Sequence, residues 1–144
     1  MNRSPSPFRI IRTDYLASLG ALFPLVAWAM ALITRFFDPQ ATAFFLRFAP
    51  AVTAAGLVVI AWRVWTIRSV VGGGTEVPGV ITGAGFFRGR GRVEYVYTYR
   101  GDKLQGGNSV QASSAARALA PGREVTVMVD PLKPKRAFVR ELYL

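Results

Sequence analysis

Hydrophobic positions along this chain form two kinds of run. The first kind is unbroken. Residues 16–34, LASLGALFPLVAWAMALIT, hold no charged side chain over nineteen positions. At about 1.5 Å per helical residue, such a run crosses a hydrocarbon layer of about 30 Å. A helix buried in a soluble core would keep a polar stripe, and only Ser18, Gly20 and Thr34 are present to form one. Residues 48–67, FAPAVTAAGLVVIAWRVWTI, repeat the pattern with one charge, Arg63, near the end. At that position a guanidinium is expected to snorkel to the headgroups. Pro24 lies inside the first run, which membrane helices tolerate, and Pro50 lies near the start of the second, where a missing N–H costs little. Residues 35–47 form the intervening loop, with Asp38-Pro39 as its turn signal.

From residue 76 onward the unbroken runs give way to alternation. The clearest strand covers 93–100, with Val93, Tyr95, Tyr97 and Tyr99 on one face and Glu94, Val96, Thr98 and Arg100 on the other. Further strands are expected at 77–87, 103–110, 124–129 and 137–142, and a short helix at 113–119. Gly79, Gly83 and Gly85 in the first of these suggest bulges or sharp curvature. Gly101-Asp102 reads as a tight turn, and residues 88–92 as an Arg/Gly loop. The fold class is therefore a membrane α-helical hairpin followed by a small all-β domain. Five short antiparallel strands would make a curled sheet or partly closed barrel.

The punctuation between the runs completes the layout. Residues 1–15 are a basic tail with Arg3, Arg9 and Arg12 against Asp14, and its Ser-Pro repeats predict an extended, poorly ordered start. A basic start before an apolar run also describes a signal peptide, with Ala29-Met30-Ala31 as a cleavage site. The run exceeds the usual 7–15 residues, so a retained span is the better reading. Gly72 to Gly74 sit in residues 68–75, read as a hinge, and 76–144 form the β domain. Phe36, Phe37, Phe44, Phe45 and Phe48 suit one membrane boundary; Tyr15, Trp62 and Trp65 suit the other. Small residues four apart (Ala17/Ala21, Ala27/Ala31, Ala51/Ala55) would let the two helices pack closely. Flanking Arg residues favour both termini in the cytoplasm.

Read together, Val93-x-Tyr95-x-Tyr97-x-Tyr99-x-Gly101, then Gly106-Gly107, then Pro121-Gly122-x-x-Val125-x-Val127-x-Val129-Asp130-Pro131, resemble a bacterial family of domains of unknown function, number thirty-five ninety-two. The likeness covers about residues 77–139, and Met128 stands where an aromatic residue is expected. The resemblance implies one or two membrane helices followed by a small β domain. It implies no activity and no catalytic residues.

Composition narrows the chemistry. The chain has 144 residues, no cysteine and no histidine. That removes disulfides, thiolate nucleophiles and the commonest general base and metal ligand. The acids Asp38, Glu76, Glu94, Asp102, Glu124, Asp130 and Glu141 fall in turns or on exposed strand faces, not in a convergent pair. Gly83-x-Gly85 lacks the strand-to-helix setting of a dinucleotide site, and Gly72-Gly73-Gly74 lacks the Lys-Ser/Thr of a phosphate loop. Neither span carries a central charge, as an ion path would need.

What stands out is basic charge. From Ser69 onward there are eleven Lys/Arg against six Asp/Glu, clustered at Arg88, Arg90 and Arg92 and at Lys133, Lys135 and Arg136. The expectation is a non-catalytic protein of the bacterial inner membrane, anchoring an accessory or interaction domain. It needs no cofactor or metal, and its partners are membrane lipid and a protein partner or second copy. The alternative is a tethered domain whose six basic residues bind anionic lipid or nucleic acid. Nucleic acid is less favoured, because the tyrosine stripe is more economically a core face.

Overall fold

A computed structural model describes residues 4–144; Arg3 of the basic tail lies outside the described residues. Helix α1 spans Pro7–Thr13, α2 Tyr15–Thr34 and α3 Pro39–Gly73. Strands β1 Thr75–Phe87, β2 Arg90–Tyr99 and β3 Asp102–Gln111 follow, then α4 Ser114–Arg117, β4 Glu124–Val129, β5 Ala137–Val139 and α5 Arg140–Tyr143.

Residues 7–13 of the tail are helical rather than extended, while Ser6 before them keeps an extended backbone. Ser6 caps α1 by accepting from the Arg9 N–H at 3.2 Å, and Pro7 supplies a first helical residue that needs no donor. Helix α1 folds back onto the β domain and buries Ile10 in its core. The Arg9 side chain reaches the Leu144 carbonyl at 2.6 Å, tying one end of the chain to the other.

Helices α2 and α3 are both long and apolar enough to cross a membrane. Most of their apolar surface points outward: Leu22, Phe23, Leu25, Leu57 and Val58 are each at least half exposed. A soluble core helix would bury those side chains. The connecting loop is shorter than expected. Asp38 accepts from the backbone N–H groups of Gln40 and Ala41 and starts α3 at Pro39. Helix α3 is 35 residues long, about 50 Å, well beyond one bilayer core. Its last turns leave the apolar layer and enter the β domain, where Ile67, Val70 and Val71 are buried.

Consequently there is no hinge of residues 68–75. Gly72 and Gly73 are helical because the turn before them is held by packing, which overrides weak glycine propensity. Gly74 ends the helix, its N–H on the Val70 carbonyl, and β1 begins at Thr75.

The helix pair crosses at glycines. A side chain at Gly56 would overlap the Gly20 carbonyl oxygen and the Pro24 ring. Ala17, Ala27 and Ala31 are buried, but Ala51 and Ala55 are exposed and take no part in the crossing. The expected Ala51/Ala55 contact is therefore made by Gly56, which permits closer backbone approach.

The five strands form one antiparallel sheet in the order β3-β2-β1-β4-β5. A register shift between Ile81 and Gly83 bends β1. Curling brings the two edge strands together, and Asn108 closes the seam. Its Nδ2 donates to the Ala137 carbonyl at 3.3 Å, and its Oδ1 accepts from the Val139 N–H at 3.1 Å. One side chain thus stands in for a pair of ladder hydrogen bonds, and the sheet becomes a nearly closed barrel. Val93, Tyr95, Tyr97 and Tyr99 all face its interior. The Tyr95 hydroxyl donates to Ala137 O at 2.6 Å, and its ring lies over Gly106, where any side chain would collide.

Both tight hairpins turn on Arg-Gly pairs. Arg88-Gly89 and Arg100-Gly101 have positive φ at both central positions, the geometry that matches strand twist. The turns are therefore shorter or displaced by a residue from those expected; Arg90 and Arg92 belong to β2 itself. Strand β5 ends at Val139 rather than 142. The chain there winds into α5, burying Leu142 and Tyr143.

Replacing Gly56 by Leu should cost roughly 1–3 kcal/mol by forcing the helices apart, whereas Ala51→Leu should be near neutral; thermal unfolding in detergent separates them. Burial also raises the phenol pKa values of Tyr95, Tyr97 and Tyr143 above the usual 10. Their neutral forms stabilise the fold fully below about pH 10, and this contribution is lost as pH rises toward the raised values. The thermal midpoint should be flat from about pH 7 to 9 and fall above pH 10. Among the described residues the Tyr143 hydroxyl has no hydrogen-bond partner. Tyr143→Phe should therefore be neutral or stabilising at pH 7, while Tyr95→Phe should lose about 1 kcal/mol.

Candidate membrane-facing surface

The junction between helices and barrel is built around Asp14. This residue ends α1 and begins α2, accepting from the Ala17 N–H at 2.9 Å. Its backbone also pairs with Val110 of β3. Asp14 is 1% exposed. Its carboxylate receives Arg63 of α3 through two bonds, Nε at 3.1 Å and Nη2 at 2.5 Å. Arg63 thus does not snorkel freely to headgroups. It is held by the carboxylate, with its guanidinium 5.5 Å from the Trp62 ring centroid and 5.8 Å from that of Phe138. Two-point pairing is the arrangement that can offset removal of both charges from water.

This pair was not among the sequence-derived candidates. One signal for it existed. An acid just before the first span and a base near the end of the second fall at similar depth in an antiparallel hairpin.

The six basic candidates occupy two places. Arg88, Arg90 and Arg92 lie at the β1–β2 hairpin; Lys133, Lys135 and Arg136 lie in the β4–β5 loop. Thr75 pairs with Val129 while Phe87 pairs with Arg90, so the two clusters sit at opposite ends of the strands. The structure does not merge them into one patch. It brings each beside an aromatic residue of the helices instead. Arg90 points to the Tyr15 hydroxyl at 3.4 Å and lies 5.9 Å from that ring's centroid. Leu132 and Lys133 share a crevice with Trp65 and Ser69.

The six are not electrostatically equal. Arg92 pairs with Glu94 at 3.1 Å, and Arg136 with Asp130 at 3.6 Å. Arg88, Arg90, Lys133 and Lys135 have no acidic partner among the described residues. Each cluster also carries an apolar side chain that charge counting overlooks: Phe87, 63% exposed, and Leu132, 91% exposed. Arg88 lies 5.0 Å from the Phe87 ring centroid.

Glu76, Glu124 and Glu141, expected apart, line one cleft with Thr126, and several of the acids also bond within the fold. Glu76 binds Arg140 at 2.9 Å, Glu141 accepts from the Thr126 N–H, and Asp130 accepts from the N–H groups of Leu132 and Lys133. The tyrosine stripe is turned inward and offers no ring on which a base could stack.

No curated protein and no solved structure matches the chain. The sequence pattern of one family does match, over residues 59–142, more than half the chain. The matched part starts in the last turns of α3 and runs through the barrel to α5, the portion joined in one core. By that match the chain belongs to the family described as domain of unknown function (DUF3592).

Proposed function

We propose that this is a non-catalytic integral membrane protein that presents a small β barrel, fixed in orientation, at the membrane surface as an accessory or interaction module. The observation that carries the reading is the shared core. Ile10 of α1 and Ile67, Val70 and Val71 of α3 pack in one cluster with Tyr95, Val110, Val127 and Phe138 of the strands. The last turns of the helix are thus part of the barrel core. The Asp14–Arg63 pair adds a second attachment between the helices and the domain.

Several features favour a presenting rather than a catalytic role. The chain lacks cysteine and histidine, which removes the commonest nucleophile and general base. The partner in this reading is a membrane protein or a second copy. The basic residues Arg9, Arg12, Arg63 and Arg68 flank the domain side, against Arg35 and Arg47 at the far side. That bias favours a cytoplasmic domain with both termini inside, in a bacterial inner membrane.

Purification of the full chain from native membranes in mild detergent tests the accessory role. A stoichiometric protein partner or a defined homo-oligomer is the expected result. A monomeric, partnerless particle overturns that role. Fixed orientation is tested separately. Asp14→Asn and Arg63→Met should each destabilise by about 3 kcal/mol, because each strands a half-pair in a poorly hydrated site. The double variant should recover much of that loss. Additive losses, read from thermal midpoints in detergent, would mean that the pair does not act as a unit.

A further inference from the structure

The two loop tips have a property in common beyond their charge. Each combines one strongly exposed apolar side chain with unpaired bases: Phe87 with Arg88 and Arg90, and Leu132 with Lys133 and Lys135. A single exposed hydrophobe on a soluble surface means little. Here there are two, at opposite ends of the barrel: Phe87 faces Arg90, which lies against Tyr15, and Leu132 shares a crevice with Trp65.

The loops are also held so that these side chains project. Arg88-Gly89 is a tight turn with both residues at positive φ, which sets Phe87 at its very shoulder. Asp130 Oδ1 accepts from the Leu132 N–H at 2.9 Å, and Arg136 pairs with Asp130 across the base of the loop. The Lys133 N–H donates to the Asp130 carbonyl at 3.2 Å. A braced loop that leaves Leu132 91% exposed has no use for that side chain within the chain itself.

We propose that the barrel straddles the helix pair and rests on the leaflet through these two tips, with Phe87 and Leu132 inserted at the headgroup–acyl boundary and Arg88, Arg90, Lys133 and Lys135 on anionic phospholipid headgroups. The inference rests on the membrane reading above and adds the occupant of its basic surface. Charge complementarity identifies the lipid. Four bases have no acidic partner among the described residues; Arg90 against Tyr15 and Lys133 in the crevice with Trp65, each with its loop neighbour Arg88 or Lys135, would meet a negatively charged cytoplasmic leaflet at close range. Insertion of an aromatic or aliphatic tip beside basic residues is how interfacial elements divide their contacts with a bilayer.

The absence of cysteine makes a direct test available. Single-cysteine variants Phe87→Cys, Leu132→Cys and Leu57→Cys of the full chain would carry a nitroxide label in vesicles of phosphatidylglycerol and phosphatidylcholine, or of phosphatidylcholine alone. Collision with oxygen, which concentrates in the bilayer, is compared with collision with a water-soluble nickel chelate. Leu57, exposed on the middle of α3, reports whether the helix is in lipid at all. The expected result is oxygen-dominated contact at positions 87 and 132 in the anionic vesicles. A several-fold shift toward the nickel chelate is expected in pure phosphatidylcholine, or when Arg88, Arg90, Lys133 and Lys135 are all changed to Gln. Water-like contact at 87 and 132 with lipid-like contact at 57 overturns this proposal and leaves the anchoring intact. Equal contact in the two vesicle types overturns the role of anionic lipid. Water-like contact at 57 overturns both readings together.

Discussion

One carboxylate decides how this molecule is joined. Asp14 closes α1, opens α2, pairs through its backbone with β3 and binds Arg63 of α3. Neither charge could remain in such a site alone, since a half-pair left away from water is severely penalised. The turn between α1 and α2, the lateral position of α3 and the approach of β3 are therefore all set by one two-point contact. On one side of it lie the two long apolar helices; on the other, α1 and the end of α3 join the barrel.

The barrel would be a poor domain without this arrangement. Some seventy residues bury too little apolar surface to be comfortably stable. The missing core is supplied by Ile10 from the tail and by Ile67, Val70 and Val71 from the end of α3. Closure of the sheet depends on a similar economy. Strand β5 has only three residues, and Asn108 supplies the pairing that a longer strand would have made. The helix pair and the barrel are thus parts of one folding unit, and the family pattern begins at residue 59 inside α3, without the Ile10 and Asp14 that complete the unit.

Much of this was legible along the chain. The two apolar runs and the five strands are carried by hydrophobic spacing, and the stripe of Val93, Tyr95, Tyr97 and Tyr99 is a core face because a period of two permits nothing else for a curled sheet. What escaped reading was set by distant partners. Ser6-Pro7 is as good a helix start as it is an extended pair, and the burial of Ile10 decides between them. Gly72 and Gly73 read as a break, but Val70 and Val71 clamp the turn that precedes them. Asp14 and Arg63, forty-nine positions apart, could be matched only by comparing their depths in the hairpin. Charge spacing marks the basic residues of the two loops but not Phe87 and Leu132, whose exposure depends on turns that only the folded chain shows.

The direct passage of α3 into β1, with only Gly74 between helix and strand, makes the barrel's heading a matter of helical phase. Each residue of an α-helix turns its successor by about 100°. The side of the molecule on which the barrel presents its outer strands is therefore written in the count of residues between the Gly56 crossing and Gly74. A chain one residue longer there would turn the barrel by about 100° against the Gly56 crossing, out of step with the Asp14–Arg63 contact that also joins them. Length in this stretch acts as a compass setting, and side-chain identity acts as the fit.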